Sequence, residues 1–292
     1  MKPSRFSYFV AHNVDEAVAL LAEQGEEARV LAGGQSLMTL MNLRLARPTA
    51  LIDLNEVGEL AYVRPWDGGL AIGAMTRDAT LEQHTLAAER FPLLVEAARC
   101  VGHPAIRNRS TIGGSIAHAD PAADMPAIML ALDAEFAVRS AAGSRTIAAK
   151  DFFQGYFQTS LGHGEILTEV RIPSLRPRSG SAFLEFARRD GDYALAGVAA
   201  VVALDENGTI AEARLGLCSV GPQAVRPHAA EALLRGQQPG PDTWAKAASA
   251  VIAALDEPPS DIHGSADYRR HLAGVMTGRA LALATQRAEG NR

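Results

Sequence analysis

The chain has 292 residues, 48% of them hydrophobic, with a formal net charge of −5. That length supports a sizeable core and two domains, and the acidic balance argues against nucleic acid as the main ligand. Only two cysteines occur, Cys100 and Cys218; they read as buried small hydrophobes and cannot hold an iron–sulfur cluster by themselves.

In chain order, Asn13-Val14-Asp15-Glu16 reads as a capping box opening a helix with Val14, Ala17, Val18 and Leu21 on one face. Gly25 ends it, and Ala28–Leu31 reads as a strand. A helix is predicted over Ser36–Leu45, stopped ahead of Pro48, with a return to strand at Ala50–Leu54. This makes a β-α-β-like unit. Leu60–Arg64 and Leu70–Gly73 form a predicted hairpin around Asp67-Gly68-Gly69. Helices are expected at Asp78–His84 and Phe91–Val101, then from Asp120 to Leu132 with Asp120 as N-cap and Pro121 in the first turn. Strands follow near Glu135–Arg139 and Glu165–Ile172.

The stretch 173–180 is rich in proline, serine and arginine and reads as a linker. Beyond it come strands at Ala182–Arg188, Gly197–Leu204 and Ile210–Ser219, the last two joined at Asn207-Gly208. Helices at Pro227–Arg235, Asp242–Leu255 and Ala266–Gln286 complete an α+β domain. The domains are therefore set at 1–175, in two parts of about 1–56 and 57–175, and 176–292. The N-terminal segment is not apolar enough for a secretory signal, and no run of about eighteen apolar residues spans a membrane. A cytoplasmic location is expected.

Two glycine doublets carry the chemical information. Ala32-Gly33-Gly34-Gln35-Ser36 follows the strand at 28–31, and Thr111-Ile112-Gly113-Gly114-Ser115 lies about eighty residues on. Either alone is readable as a tight turn. Together they could clasp a diphosphate between backbone N–H groups. No lysine lies nearby for a Walker site, and the three-glycine Rossmann spacing is absent. Asp120 and Asp124 could cap a helix, bind sugar hydroxyls or, less easily because only His118 lies nearby and no third ligand is evident, bind a metal, and Tyr193 could pack in a core or on a planar ligand. The eight histidines show no metal-ligand spacing, and there is no G-x-S-x-G nucleophile motif. No catalytic or metal-ligating residue is therefore assigned. A cofactor cradle without acid, base or nucleophile points to electron transfer, with the chemistry carried by the cofactor.

These two glycine motifs, with Asp120-Pro121-Ala122-Ala123-Asp124, Leu51-Ile52-Asp53-Leu54, the strand 165–173 and Asp192-Tyr193-Ala194, resemble the FAD-binding medium subunit of molybdenum hydroxylases. That family includes the medium subunit of aerobic carbon monoxide dehydrogenase and the flavin domain of xanthine dehydrogenase. The resemblance implies an α+β chain: a two-part FAD-binding domain of the p-cresol methylhydroxylase type, then a smaller domain with a three-stranded antiparallel sheet and helices. It implies that Ala32, Gly33, Gly34, Gln35 and Ser36 hold the FAD diphosphate from one side, and Thr111, Gly113, Gly114 and Ser115 from the other. Asp124 would meet ribityl or ribose hydroxyls beside His118, and Leu167 and Tyr193 would lie by the isoalloxazine. Val101 stands where the xanthine dehydrogenase flavin domain has a shielding phenylalanine.

The implied partners are a large molybdenum-cofactor subunit and a small subunit with two [2Fe-2S] clusters, in a dimer of heterotrimers. Neither group would sit on this chain. Peripheral attachment to the inner membrane face through the complex is also allowed. The sequence leaves two rivals open: a stand-alone FAD-dependent oxidase of the same fold, and a flavin-free scaffold subunit.

Overall fold

The computed structural model describes residues 2–291. Its first layer comprises β1 (Ser7–Val10), α1 (Val14–Gln24), β2 (Ala28–Leu31), α2 (Leu37–Asn42) and β3 (Ala50–Asp53). The strands lie in the order β1-β3-β2, with both pairs parallel. Asn13 Oδ1 accepts the Glu16 N–H at 2.8 Å, and Glu16 Oε2 accepts the His12 N–H at 2.8 Å. These reciprocal bonds fix where α1 starts, and Ala17, Val18 and Leu21 are the buried face. The parallel link between β2 and β3 places the first glycine motif at a strand-to-helix turn. Helix α2 is shorter than predicted: it ends at Asn42, and Arg44 then turns left-handed with φ 59°. Strand β1 has no sequence forecast; its partner β3 lies more than forty residues away.

The second layer begins with the hairpin β4 (Val63–Trp66) and β5 (Gly69–Gly73). Six helices follow: α3 (Asp78–Gln83), α4 (Thr85–Arg90), α5 (Pro92–Cys100), α6 (Pro104–Arg107), α7 (Ile112–His118) and α8 (Asp124–Ala131). Then come β6 (Glu135–Ser140), β7 (Gly143–Ala148), the small hairpin β8 (Phe153–Gly155) and β9 (Gln158–Thr159), and β10 (Ile166–Ile172). The main sheet runs β4-β5-β10-β6-β7 and is antiparallel throughout. Helices α5 and α8 pack into its core with Phe91, Phe136 and Phe152, all fully buried. Each such side chain contributes about 1.5–3 kcal/mol through its removal from water.

Two expectations are corrected here. The helix predicted from Asp120 starts at Asp124, with Ala123 as its N-cap residue. The Asp120 carboxylate instead accepts the Ala122 N–H at 2.9 Å, a local turn that competes with helix entry. The second glycine doublet, read as a loop, lies inside the first turn of α7.

The third layer comprises β11 (Ser179–Phe186), β12 (Ala196–Leu204), β13 (Ile210–Cys218), α9 (His228–Leu234), α10 (Pro241–Ala253) and α11 (Ala266–Gly290). The sheet is antiparallel in the order β11-β12-β13. Strand β11 starts three residues before the forecast, inside the supposed linker. Every residue of β12 is buried. Val198, Ala200 and Val202 face α11 and α10, whereas Ala199 and Val201 join the core of the second layer. A Cβ on Gly216 would lie 2.0 Å from the Ala127 carbonyl oxygen. Helix α8 therefore rests directly on β13, and the seam between the layers is close-packed.

Candidate cofactor site

The first glycine motif is a turn with its donors facing outward. Gly34 takes φ 73°, a conformation that glycine adopts at little cost. The Ala32 carbonyl accepts from Asn55 Nδ2 at 3.0 Å, the Gly33 carbonyl from Gln35 Nε2 at 3.1 Å, and the Gly34 carbonyl from the Met38 N–H at 3.1 Å. Among the described residues, no acceptor serves the backbone N–H groups of residues 32–37. The carbonyl side of the loop is satisfied while its amide side is open. Successive open amides of this kind favour an anion.

The second motif differs. Thr111 caps α7: its Oγ1 accepts the Gly114 N–H at 3.0 Å. The Ile112 N–H donates to Thr76 O at 3.1 Å, Gly113 to Ala74 O at 2.9 Å, and Ser115 to Thr111 O at 3.0 Å. All four amides from 112 to 115 are therefore engaged within the protein. A Cβ on Gly113 would lie 2.5 Å from Ala74 Cβ, so this glycine is required for close packing of α7. Behind the turn, Asp78 is fully buried and accepts from Ser110 Oγ, while its N–H donates to Ser110 O at 3.2 Å. Burial pushes the Asp78 carboxyl up to about 6, against the opposing effects of Ser110, Arg107 and Arg77.

The two motifs meet. A Cβ on Gly33 would lie 2.2 Å from Arg109 O and 2.7 Å from Ser110 Cα, so only glycine fits between the turns. Beside this contact is a cavity of about 350 Å³, within the range of small-molecule sites. Ala32, Gly33, Gly34, Gln35 and Ser36 line one wall; Thr111, Gly114, Ser115 and His118 line another. Asp124 and Tyr193 close it, with Val101 also in its wall. Gly113 and Leu167 do not line it. Gly113 is packed behind, and Leu167 is buried in β10 opposite Val138.

Tyr193 comes from the third layer, is 61% exposed, and has its hydroxyl beside Asp120 and Ser36. Loss of water around the hydroxyl, then the Asp120 charge, push it up to about 12, so it stays a neutral phenol. The His118 ring lies 5.0 Å from that of Phe157. Burial lowers its pKa, which leaves a neutral imidazole at neutral pH. Asp124, at the first position of α8, is 8% exposed. Burial and neighbouring Glu185 push its carboxyl well above the usual range.

Sequence reasoning missed Asp78, Cys100, Ser110 and Asp192 in the cavity wall. Only the buried aspartate near a helix start offered a signal, and a solvated helix terminus would read the same. Among the described residues, no group of three or more His, Cys, Asp or Glu side chains could hold a metal ion. No helix there is long and apolar enough to cross a membrane. The arrangement presents amides, hydroxyls and a phenol ring to a ligand that is anionic in one part and flat in another.

Two family models match: the FAD binding domain in molybdopterin dehydrogenase over residues 4–175, and the CO dehydrogenase flavoprotein C-terminal domain over residues 181–284. The chain is 45% identical to the alpha subunit of the 6-hydroxypseudooxynicotine dehydrogenase complex of Paenarthrobacter nicotinovorans, covering 99% of this chain and 97% of that one. Its fold matches a chain of carbon monoxide dehydrogenase from Hydrogenophaga pseudoflava with a TM-score of 0.95 at 42% identity, covering 98% and 99% of the two chains. A chain of quinoline 2-oxidoreductase from Pseudomonas putida 86 gives 0.92 at 39% identity, covering 99% of each.

Proposed function

The chain belongs to the family of FAD-binding medium subunits of molybdenum hydroxylases, and from that premise we propose that it is the FAD-carrying electron-transfer subunit of such an assembly. In this reading a small partner subunit delivers electrons from two [2Fe-2S] clusters, and a large partner subunit with the molybdenum cofactor oxidises the substrate. The terminal acceptor is reduced from this chain. A dimer of heterotrimers in the cytoplasm is the arrangement we propose. The domain boundary falls at about 175, with the FAD-binding domain in two parts, 1–56 and 57–175.

The open amide run at 32–37, set against the second glycine turn, carries this reading. Its residues fit a dinucleotide diphosphate: donors without partners, no side chain at Gly33, and the hydroxyls of Ser36 and Ser115 at the cavity wall. Thr111 and Gly114 shape the facing turn, and Gly113 holds that turn in place by packing on Ala74. Asp124 and His118 stand where sugar or ribityl hydroxyls can be bonded. Tyr193 offers a ring with a neutral hydroxyl for the flat end of the cofactor, and Leu167, buried in β10, is proposed near it on the family resemblance alone. FAD, when bound, supplies the redox chemistry. The protein's own part is to bind and orient the cofactor.

Purification with its partners tests this. The reading expects one FAD per chain and flavin reduction that requires the iron–sulfur subunit. A chain that takes up no FAD would be a scaffold. A chain that alone oxidises a small substrate with oxygen would be an oxidase. Either result overturns the proposal.

A further inference from the structure

The first and second layers each contribute one glycine turn, and the turns approach through carbonyl groups. Ala32 O precedes Gly33, and a Cβ on Gly33 would fall 2.2 Å from Arg109 O. Carbonyl oxygens at such a contact need donors of their own. Among the described residues, no backbone N–H outside the helices and strands serves either one.

Two side chains supply those donors. Asn55, two residues beyond β3, donates from Nδ2 to Ala32 O at 3.0 Å. Arg77, the N-cap residue of α3, donates from one guanidinium nitrogen to Arg109 O. A second guanidinium nitrogen donates to Asn55 Oδ1 at 2.6 Å. One continuous chain of bonds therefore runs from Ala32 through Asn55 and Arg77 to Arg109, and it crosses from the first layer to the second.

Both ends of this chain are anchored. Asp53, 7% exposed, accepts the Asn55 N–H at 2.8 Å and the Asn55 side-chain amide, while its other oxygen accepts from the Tyr8 hydroxyl. Ala32 O and Asp53 take the two amide hydrogens and Arg77 meets the amide oxygen. Only one orientation of the Asn55 side chain satisfies all three neighbours. The Arg77 backbone is bridged to Thr111, which caps α7, and its carbonyl accepts the Leu81 N–H at 3.1 Å. A guanidinium holds its donors in a rigid plane, so it fixes the separation of the two oxygens it bonds. Neither Asn55 nor Arg77 lines the cavity, so any effect on a ligand passes through the turns.

We propose that Asn55 and Arg77 are a positioning pair that sets the spacing of the two glycine turns, and with it the width of the slot in which the open amides at 32–37 meet a diphosphate. The ligand half of this inference rests on the FAD reading above. Loss of either residue leaves a carbonyl without its donor and lets the turns separate.

The test uses the full chain and FAD. Arg77→Met should weaken FAD binding by about tenfold and Asn55→Ala by about fivefold, the range expected when a hydrogen bond involving a charged group is lost. Because both act through one link, the double variant should stay near the tenfold loss rather than reach the additive loss of about fiftyfold. Arg77→Lys keeps the charge without the planar fork and should remain weaker than wild type by about fivefold. Phosphorus NMR of bound FAD should show shifted diphosphate resonances in these variants, with the visible flavin spectrum unchanged. The proposal is overturned if both single variants bind FAD within about twofold of wild type, if Arg77→Lys recovers fully, or if the double loss is additive. A lower melting midpoint of the FAD-free chain with unchanged affinity would also overturn it, since the pair would then serve the fold alone. If the wild-type chain binds no FAD, the FAD reading and the ligand half fail. The link is then decided in the FAD-free chain by the Asn55 side-chain amide resonances, which should shift in Arg77→Met; their constancy would overturn it.

Discussion

The two glycine turns share a pattern, a doublet followed within two residues by serine, and the fold uses them in opposite ways. At 32–37 the carbonyls are bonded and the amides are open; at 112–115 all four amides are spent on Thr76, Ala74 and Thr111. The first turn is a donor surface and the second is a brace that presses it into shape. A glycine doublet therefore reports close backbone approach, and only the hydrogen-bond partners show whether a ligand or the protein makes that approach.

Substitutions can break this contrast. The largest effect is expected at Gly33, where any side chain collides with Arg109 O and Ser110 Cα. Gly33→Val should lower FAD affinity by about a hundredfold or more, as misplaced donors lose several charge-assisted bonds; isothermal titration measures it. Asp78, behind the brace, should show itself in pH. Its folded-state pKa of about 6 lies above its unfolded value, so the stability tied to its proton is full below about 4 and lost as pH rises through about 6. Thermal melts of the apoprotein should therefore lose about 2–3 kcal/mol more in the wild type than in Asp78→Asn over that window. Gly113→Ala, which meets Ala74 at 2.5 Å, should cost about 1–3 kcal/mol by overpacking. Denaturant unfolding should register that loss, while FAD affinity of the remaining folded protein changes little. Thr111→Val removes the helix cap and should cost about 1 kcal/mol, read as a lower midpoint in the same titration.

Sequence made the local features legible and hid those that depend on packing. Helix α1 announced itself through Asn13 and Glu16 because both partners of the cap lie within four residues. The hairpin between β12 and β13 followed from Asn207-Gly208, with Gly208 at φ 80°. Helix α7 was hidden because two glycines lower helix propensity, and carbonyls of Thr76 and Ala74, far back in the chain, hold its first turn. Strand β7 is polar and lies at the sheet edge, so no alternation marked it. Of the site, both glycine motifs, Asp124 and Tyr193 were named in advance. Asp78 was not: it is buried on a short helix, and the hydroxyl it accepts from, that of Ser110, lies 32 residues on.

The contrast between the turns is tested most directly by amide hydrogen exchange with and without FAD. Without FAD, residues 112–115 should already be protected and residues 32–37 should exchange freely. Added FAD should slow exchange at 32–37 and leave 112–115 nearly unchanged. FAD binding that leaves 32–37 unprotected, or that newly protects 112–115 instead, would contradict the assignment of the first turn as the cofactor's cradle.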